Sequence, residues 1–502
     1  MGINAESITF GPWTTVDYSV PAVDLAPDVL AEMKNVELDD AGSIKTRKGY
    51  TKYISSALSS TPSITGCGKQ RFSTSSSAVF VFAGDKFYED ASGTWTDRTG
   101  SQTITAANDN TFISANAAGT LIATNGVDTV KKWTAAGGNL AALGMGSSSV
   151  TRASVVAWWD NRAWLINTNQ GERRAHYSSN TDIEAYGAND YFQTDGAITG
   201  AGPVKSFFAL HNDDAIYGLF PTGNADTPYS IQRRADRGTV ARRSVVMDEY
   251  GNQVFVRRDG IYIWDGSNPP IKISGNFDGS EFWDNVIQDR LQHSFAVENR
   301  AKNQVIFALP YGTNQVLMNK YIVWNYKRQQ WVGVFEDFTR ICAAYFNDSP
   351  HFGGSGDGLL YVHDSGTNDN TTAIKSFVSL AATPPISLAE VVRWLYARHE
   401  FEAAETDYEI NVQQRGPSIV SRTDGIGVGD PSDAIETAFI VGSSSIRGST
   451  TAYVLDTDMW GYDPVTQLKY TANNKDEPMA LRRALVMFKP IGKRTKRQLG
   501  VE

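Results

Sequence analysis

The sequence is poor in the residues that usually announce chemistry. Only two cysteines occur, Cys67 and Cys342, too few for a disulfide framework and too far apart in sequence for a metal knuckle, so they read as two buried thiols in a reducing compartment. The six histidines (His176, His211, His293, His351, His363 and His399) are scattered, with no His-x-His pair. His399-Glu400 is followed by Phe-Glu-Ala, so the second ligand of a His-Glu-x-x-His zinc helix is missing, and each histidine reads as a satisfied structural one. There is no Gly-x-Ser-x-Gly elbow, no phosphate-cradling glycine loop and no dinucleotide fingerprint. The expectation is a protein without catalytic, cofactor-binding or metal-binding residues, and not an enzyme.

Long apolar runs are also missing. No stretch approaches the ~20 residues that span a bilayer. The start, MGINAESITF, lacks the basic region and apolar core of a secretory signal, and Glu6 departs from the myristoylation pattern. The chain is therefore expected to be made soluble, inside a cell. A net charge of −9 argues against general nucleic-acid binding, yet a weakly repelling wall would let DNA slide past without sticking.

What is abundant is turn and strand chemistry. With 44 glycines, 12 tryptophans, 21 tyrosines and 23 phenylalanines in 502 residues, the composition favours many turns between aromatic-rich strands. Gly238–Ser274 shows the unit. Ser244–Met247, Val254–Arg257, Ile261–Trp264 and Ile271–Ile273 read as four strands, separated by Tyr250-Gly251-Asn252, Asp259-Gly260 and Asp265-Gly266. Asp-Gly between apolar strands predicts a type I′ hairpin, and four antiparallel strands in under forty residues is the size of a β-propeller blade.

Looser copies begin at Phe80, Leu121, Ala163, Ala215, Val254, Val305 and Leu359, with separations of 41, 42, 52, 39, 51 and 54 residues. The spacing lies in or just above the roughly 40–50 of propeller blades, and the longer gaps predict loop insertions in 163–215 and 305–359. The predicted fold is all-β: a six- or seven-bladed β-propeller-like core over 64–380, an N-terminal arm with a leading hairpin over 1–63, and a small C-terminal β appendage with a basic tail over 381–502. Within the arm, Pro27-Asp28 predicts a short helix over Val29–Met33, and Leu38–Tyr50 a hairpin. Glu281–Leu291 is predicted helical, with Phe282, Val286 and Leu291 on one face. After Pro384-Pro385, Val391–Phe401, Tyr408–Gln414 and Ala438–Val441 are predicted strands.

Four further features were weighed for function. Glu89-Asp-Ala-Ser-Gly-Thr-Trp95 resembles a sialidase Asp-box with shifted spacing, against a plain glycine turn with a packed tryptophan. Gly353-Gly-Ser-Gly-Asp-Gly358 offers a cation loop, against a flexible turn. The pairs Arg233-Arg234, Arg242-Arg243 and Arg257-Arg258 suit a carboxylate or phosphate, but strand periodicity turns one arginine of each pair outward, favouring solvated or subunit-facing roles. The ends of the chain differ in charge. Residues 1–42 carry eight acids (Glu6, Asp17, Asp24, Asp28, Glu32, Glu37, Asp39, Asp40) against Lys34, and the last 21 carry seven bases (Arg482, Arg483, Lys489, Lys493, Arg494, Lys496, Arg497) against Glu502. Arg482, Arg483, Lys493, Arg494, Lys496 and Arg497 are the candidate interaction residues, for a subunit, a partner or nucleic acid, with two solvated tails as the alternative.

Four segments resemble the β-propeller tail-hub proteins of short-tailed bacteriophages, also called nozzle, tail tubular protein B or packaged-DNA stabilisation protein. They are Gly42-Ser-Ile-Lys-Thr-Arg-Lys-Gly-Tyr-Thr-Lys52, Gly84-Asp-Lys-Phe-Tyr88, Gly238-Thr-Val-Ala-Arg-Arg-Ser-Val-Val246 with Val254-Phe-Val-Arg-Arg-Asp-Gly-Ile261, and Tyr321-Ile-Val-Trp-Asn-Tyr-Lys-Arg-Gln-Gln-Trp-Val332. The resemblance covers roughly 35 to 380. It implies a virion structural protein, made in the host cytoplasm, that forms a homo-oligomeric ring, typically a hexamer, below the portal and its adaptor. Such a ring retains DNA, conducts it at genome ejection without sequence-specific binding, and docks tail fibres, spikes or a needle. No cofactor and no membrane anchor are implied. Two other readings stay open: a carbohydrate-binding or glycosidase-type propeller, and a cellular propeller scaffold.

Overall fold

A computed structural model describes residues 5–224, 227–278, 281–382, 384, 390–402, 408–416, 419–428, 446–449, 452–459, 462–476 and 478–493. Among the described residues seven antiparallel blades follow one another: blade 1 over 64–97, blade 2 over 113–142, blade 3 over 153–193, blade 4 over 200–235, blade 5 over 246–272, blade 6, the start of a larger sheet, over 295–335, and three strands of blade 7 over 340–363. Within each of these spans strands pair in sequence order. The first strand of every blade touches the first strand of the next, and Arg340–Phe346 of blade 7 touches Ile64–Arg71 of blade 1, so the ring closes around an axis lined by first strands. The fold is an all-β propeller with seven blades.

Stacking explains the sequence pattern. A blade is covered on both faces by its neighbours, so its second strand is a continuous apolar run rather than an alternating one. Ser77–Ala83 of blade 1 and Gln304–Leu309 of blade 6 are buried along nearly their whole length. Phe80, Phe82, Phe87, Phe112 and Trp133 fill the space between blades 1 and 2, and Trp164, Phe208, Leu219 and Tyr229 that between blades 3 and 4. Each such side chain contributes about 2–3 kcal/mol of burial. The first hairpin of several blades needs left-handed backbone at both central residues, met by Asp160-Asn161 (φ 52° and 54°) and Asn347-Asp348 (49° and 58°).

Second strands begin at 77, 120, 162, 207, 253, 304 and 349, a spacing of 42 to 51 residues. The uneven gaps in the sequence repeat arise because Ala215 and Leu359 open third strands rather than second ones. The insertions expected in 163–215 and 305–359 are therefore not present as such. In blade 5, Arg257 pairs with Gly260, so the turn residues are Arg258 and Asp259, and neither takes positive φ; the hairpin forms without the type I′ geometry.

The ring is closed by a strand from the other end of the chain. Tyr50–Lys52 pairs with Leu360–His363 and becomes the outermost strand of blade 7. Just before it, Val36–Leu38 and Ile44–Thr46 form the expected hairpin and extend blade 6 sideways from Gln330–Phe335. That sheet continues through Ala480–Lys493, Glu390–Glu402, Ala452–Asp458 and Ile446–Ser449. A second sheet joins Thr15–Val16, Val29–Lys34, Ser376–Leu380, Gln467–Ala472, Tyr408–Gly416 and Ile419–Val428. Leu30, Met33, Val378, Trp394, Phe401, Tyr470 and Phe488 from these two sheets share one buried cluster with Phe277, Phe307 and Trp331 of the propeller side.

Two helix expectations fail. Val29–Lys34 is a strand, because Leu30 and Met33 are buried between Thr15–Val16 and Ser376–Leu380 and tertiary pairing overrides the Pro-Asp start signal. In 281–291 a single α turn, Glu281–Asp284, gives way to the 3₁₀ stretch Gln288–His293. The strands expected at 391–401 and 408–414 are present as Glu390–Glu402 and Tyr408–Gly416, and Ala438–Val441 lies outside the described residues.

Candidate functional site

The chain between blades 4 and 5 crosses the mouth of the propeller axis. Gly238 starts the crossing where no side chain fits: a Cβ there would lie 1.8 Å from the Asn212 carbonyl oxygen. Thr239 donates to the Val256 carbonyl at 2.7 Å, and Ser244 accepts from the Val256 N–H at 3.0 Å while donating to Ala241 at 2.8 Å. These short polar side chains hold the loop in a compact, buried form.

Arg242 and Arg243 leave this loop in opposite directions. The Arg242 guanidinium donates to the carbonyls of Asn125 (3.3 Å) and Ser154 (3.2 Å) through Nη1 and of Thr111 (3.2 Å) through Nη2, reaching blades 2 and 3. Arg243 donates to Ile341 at 2.6 Å and to His293 at 2.7 Å, reaching blades 7 and 6, and stacks 5.2 Å from the Phe295 ring. Burial pushes both guanidiniums down to about 10, so both remain protonated at neutral pH. Their hydrogen-bond partners are carbonyl oxygens, apart from a weak contact of Arg242 with the Thr111 hydroxyl. The planar five-donor fork suits a group that must bridge several blades at once. Beside this plug, Arg290 holds Asp109 at 2.5 and 3.0 Å, tying the segment before blade 2 to the one before blade 6 and keeping the Asp109 carboxyl below its ordinary value.

At the closing strand, Arg47 meets Asp369 in a buried two-pronged pair at 2.6 and 2.7 Å. Arg340 is held between two rings, 4.6 Å from Tyr50 and 4.2 Å from Tyr361. The outermost strand of blade 7 is therefore pinned by charge and aromatic stacking as well as by its three backbone pairs.

The sequence-predicted interaction residues lie elsewhere. Arg482 and Arg483 sit on Ala480–Lys493, where Arg482 is 3.8 Å from Glu402 and Arg483 is ion-paired with Glu400 on the neighbouring strand. Lys493 ends that strand opposite Glu390, and Arg494, Lys496 and Arg497 lie outside the described residues. The same strand pairs with Glu6–Phe10 and with Ile44–Thr46, so the acidic and basic ends of the chain meet within one sheet.

Of the arginine pairs, Arg233 and Arg258 face solvent, with carboxylates at 3.0 Å (Asp236) and 3.3 Å (Asp213). The outward expectation fails for Arg242 and Arg243, both drawn inward because the loop that carries them is not a strand. His211 bonds Gln253 at 2.8 Å, His399 bonds Tyr470 and Thr457 at 2.7 and 2.8 Å, and burial pushes both down to about 4. The satisfied-histidine reading fails most clearly at His176, where both ring nitrogens are buried without a hydrogen-bond partner among the described residues, and in part at His363 and His211, where Nε2 and Nδ1 respectively are buried without one. Glu89 accepts from the Gly137 N–H and Arg98, and Gly356 and Gly358 take left-handed turns around Asp357, so both loops serve as packed turns. Among the described residues no cluster of three or more His, Cys, Asp or Glu could hold a metal ion, and no helix is long and apolar enough to cross a membrane.

No protein-family model matches the chain, and no curated protein matches it. Solved structures that align with it include YCF48 from Cyanidioschyzon merolae (10% identity, 63% of this chain and 98% of that one, TM-score 0.38). The β-propeller domain of Cps50 (Swd1) from Myceliophteria thermophila aligns over 62% of this chain and 98% of its own at 9% identity, TM-score 0.40. The extracellular domain of the putative one-component system BT4673 from B. thetaiotaomicron aligns over 86% of this chain and 63% of its own at 10% identity, TM-score 0.43. Similarity at this level says nothing about function.

Proposed function

We propose that this chain is a structural protein of a short-tailed phage tail: a propeller subunit that assembles as a ring, in six copies, below the portal and adaptor. In this role it walls the genome channel and docks fibres, spikes or a needle. Its part is structural rather than catalytic. The observation that carries the reading is the axis spanned by the Arg242-Arg243 loop. With Arg242 and Arg243 crossing the mouth of the ring, each propeller is a rigid block, and DNA would run between copies rather than through one.

The segments that carry the family resemblance support it by their positions. Gly42–Lys52 supplies the closing strand, Gly238–Val246 the plug, and Tyr321–Val332 the hairpin from which blade 6 extends onto Val36–Leu38. A glycosidase-type propeller would need a free pair of carboxylates over the axis. Asp109, beside the plug, is instead engaged by Arg290.

Light scattering on the purified chain, alone and mixed with a candidate adaptor ring, tests the reading. A closed oligomer, formed alone or on the adaptor, is expected. A monomer indifferent to the adaptor would favour a cellular scaffold or a sugar-binding propeller.

A further inference from the structure

The two cysteines, 275 positions apart in the chain, place their sulfurs 3.8 Å from each other. Cys67 lies on the first strand of blade 1 and Cys342 on the first strand of blade 7, so the pair sits on the seam where the ring closes. Both are free and buried, among Ile64, Val81, Phe346 and Leu360. Apart from the interior packing along the seam, the closure rests on the three-residue strand Tyr50–Lys52 and the side chains that pin it.

We propose that Cys67 and Cys342 are a disulfide-forming pair through which a peroxide staples the first blade to the last. The sulfurs need to approach from 3.8 Å to about 2.05 Å. Contact with Cys67 and the Arg243 guanidinium hold the Cys342 thiol below its ordinary value in spite of burial, while Cys67 is pushed up. Cys342 is therefore the group that reacts first.

Its thiolate attacks one peroxide oxygen, the O–O bond breaks, and a sulfenic acid and hydroxide form. The Cys67 sulfur then displaces the sulfenic oxygen, giving the disulfide, and the oxygen leaves as water with the Cys67 proton. Two thiols and one hydrogen peroxide yield one disulfide and two waters. Only a molecule of about the size of water needs to reach the site. The staple would close a covalent loop through nearly the whole propeller, and it does not depend on the tail-hub reading.

The test is to treat the purified full chain with hydrogen peroxide under native conditions, alkylate after unfolding, and map peptides. Expected are one linked Cys67–Cys342 peptide pair lacking two hydrogens, faster migration on a non-reducing gel and a raised thermal midpoint, all reversed by dithiothreitol. The variants C67S and C342S should show none of these changes. Two alkylatable thiols after peroxide, sulfinic or sulfonic acids without a link, or cross-links between copies would each overturn the proposal. The wild-type peptide map decides the matter even if a serine variant fails to fold.

Discussion

Arg242 and Arg243 are adjacent in sequence, yet their guanidiniums anchor on opposite sides of the propeller: Arg242 on the carbonyls of Asn125 and Ser154, Arg243 on those of His293 and Ile341. Two neighbouring residues thus tie four blades across the axis. Truncation should be costly, because it leaves buried carbonyls without donors at about 1–3 kcal/mol. R243A is expected to lose about 3 kcal/mol, and R243K less. Urea unfolding checks this, with the slope unchanged. A midpoint equal to that of the wild type would show that the plug adds nothing to the ring.

Gly238 gives an independent handle on the same loop. An added Cβ would meet carbonyl oxygens of Asn212 and Ala215 at 1.8 and 2.6 Å, so G238A must displace the backbone that aims both arginines. The expected loss is about 4 kcal/mol, the exceptional end of single substitutions. G275A, with nothing near its Cβ and no left-handed backbone, is the control for adding a methyl where there is room.

The Arg47–Asp369 pair should behave as a buried ion pair does. Removing one partner strands a charge, so R47M is expected to cost about 3–5 kcal/mol, whereas R47M together with D369L should regain most of it. Limited proteolysis is the second readout. Cleavage near Tyr50–Lys52 should rise in R47M and fall back in the double variant.

Stability should fall in mild acid. His211 and His399 have folded values near 4 against an ordinary 6.5, so the unfolded chain takes up protons first as pH drops. Their contribution is complete above about 6.5 and is lost as pH falls towards 4, by about 2 kcal/mol per histidine between pH 7 and pH 5. Denaturation of wild type and H399Q at both values checks it. The variant should show a smaller difference between the two, and an equal difference would contradict the buried neutral state.

The blades were legible because their signals are local: a short apolar run, a turn, another run. Ser77–Ala83 and Gln253–Arg257 could be read as strands without knowing what covers them. The repeat register was not, since second and third strands of a blade look alike, which is why Ala215 and Leu359 entered the periodicity at the wrong place. The plug was invisible for another reason. Arg242-Arg243 reads as strand-like polar sequence, and its inward direction is set by carbonyls 50 to 131 residues away. The strand Val29–Lys34 likewise takes its conformation from Ser376–Leu380, distant partners that a Pro-Asp start signal cannot reveal.

The most direct measurement is electron microscopy of this chain mixed with a candidate adaptor ring, viewed end-on. The account predicts a closed ring of copies around one open central channel, with each propeller filled at its own axis by the Arg242-Arg243 loop. Isolated single copies on the adaptor, or propellers whose own axes are open and aligned with the portal, would contradict it.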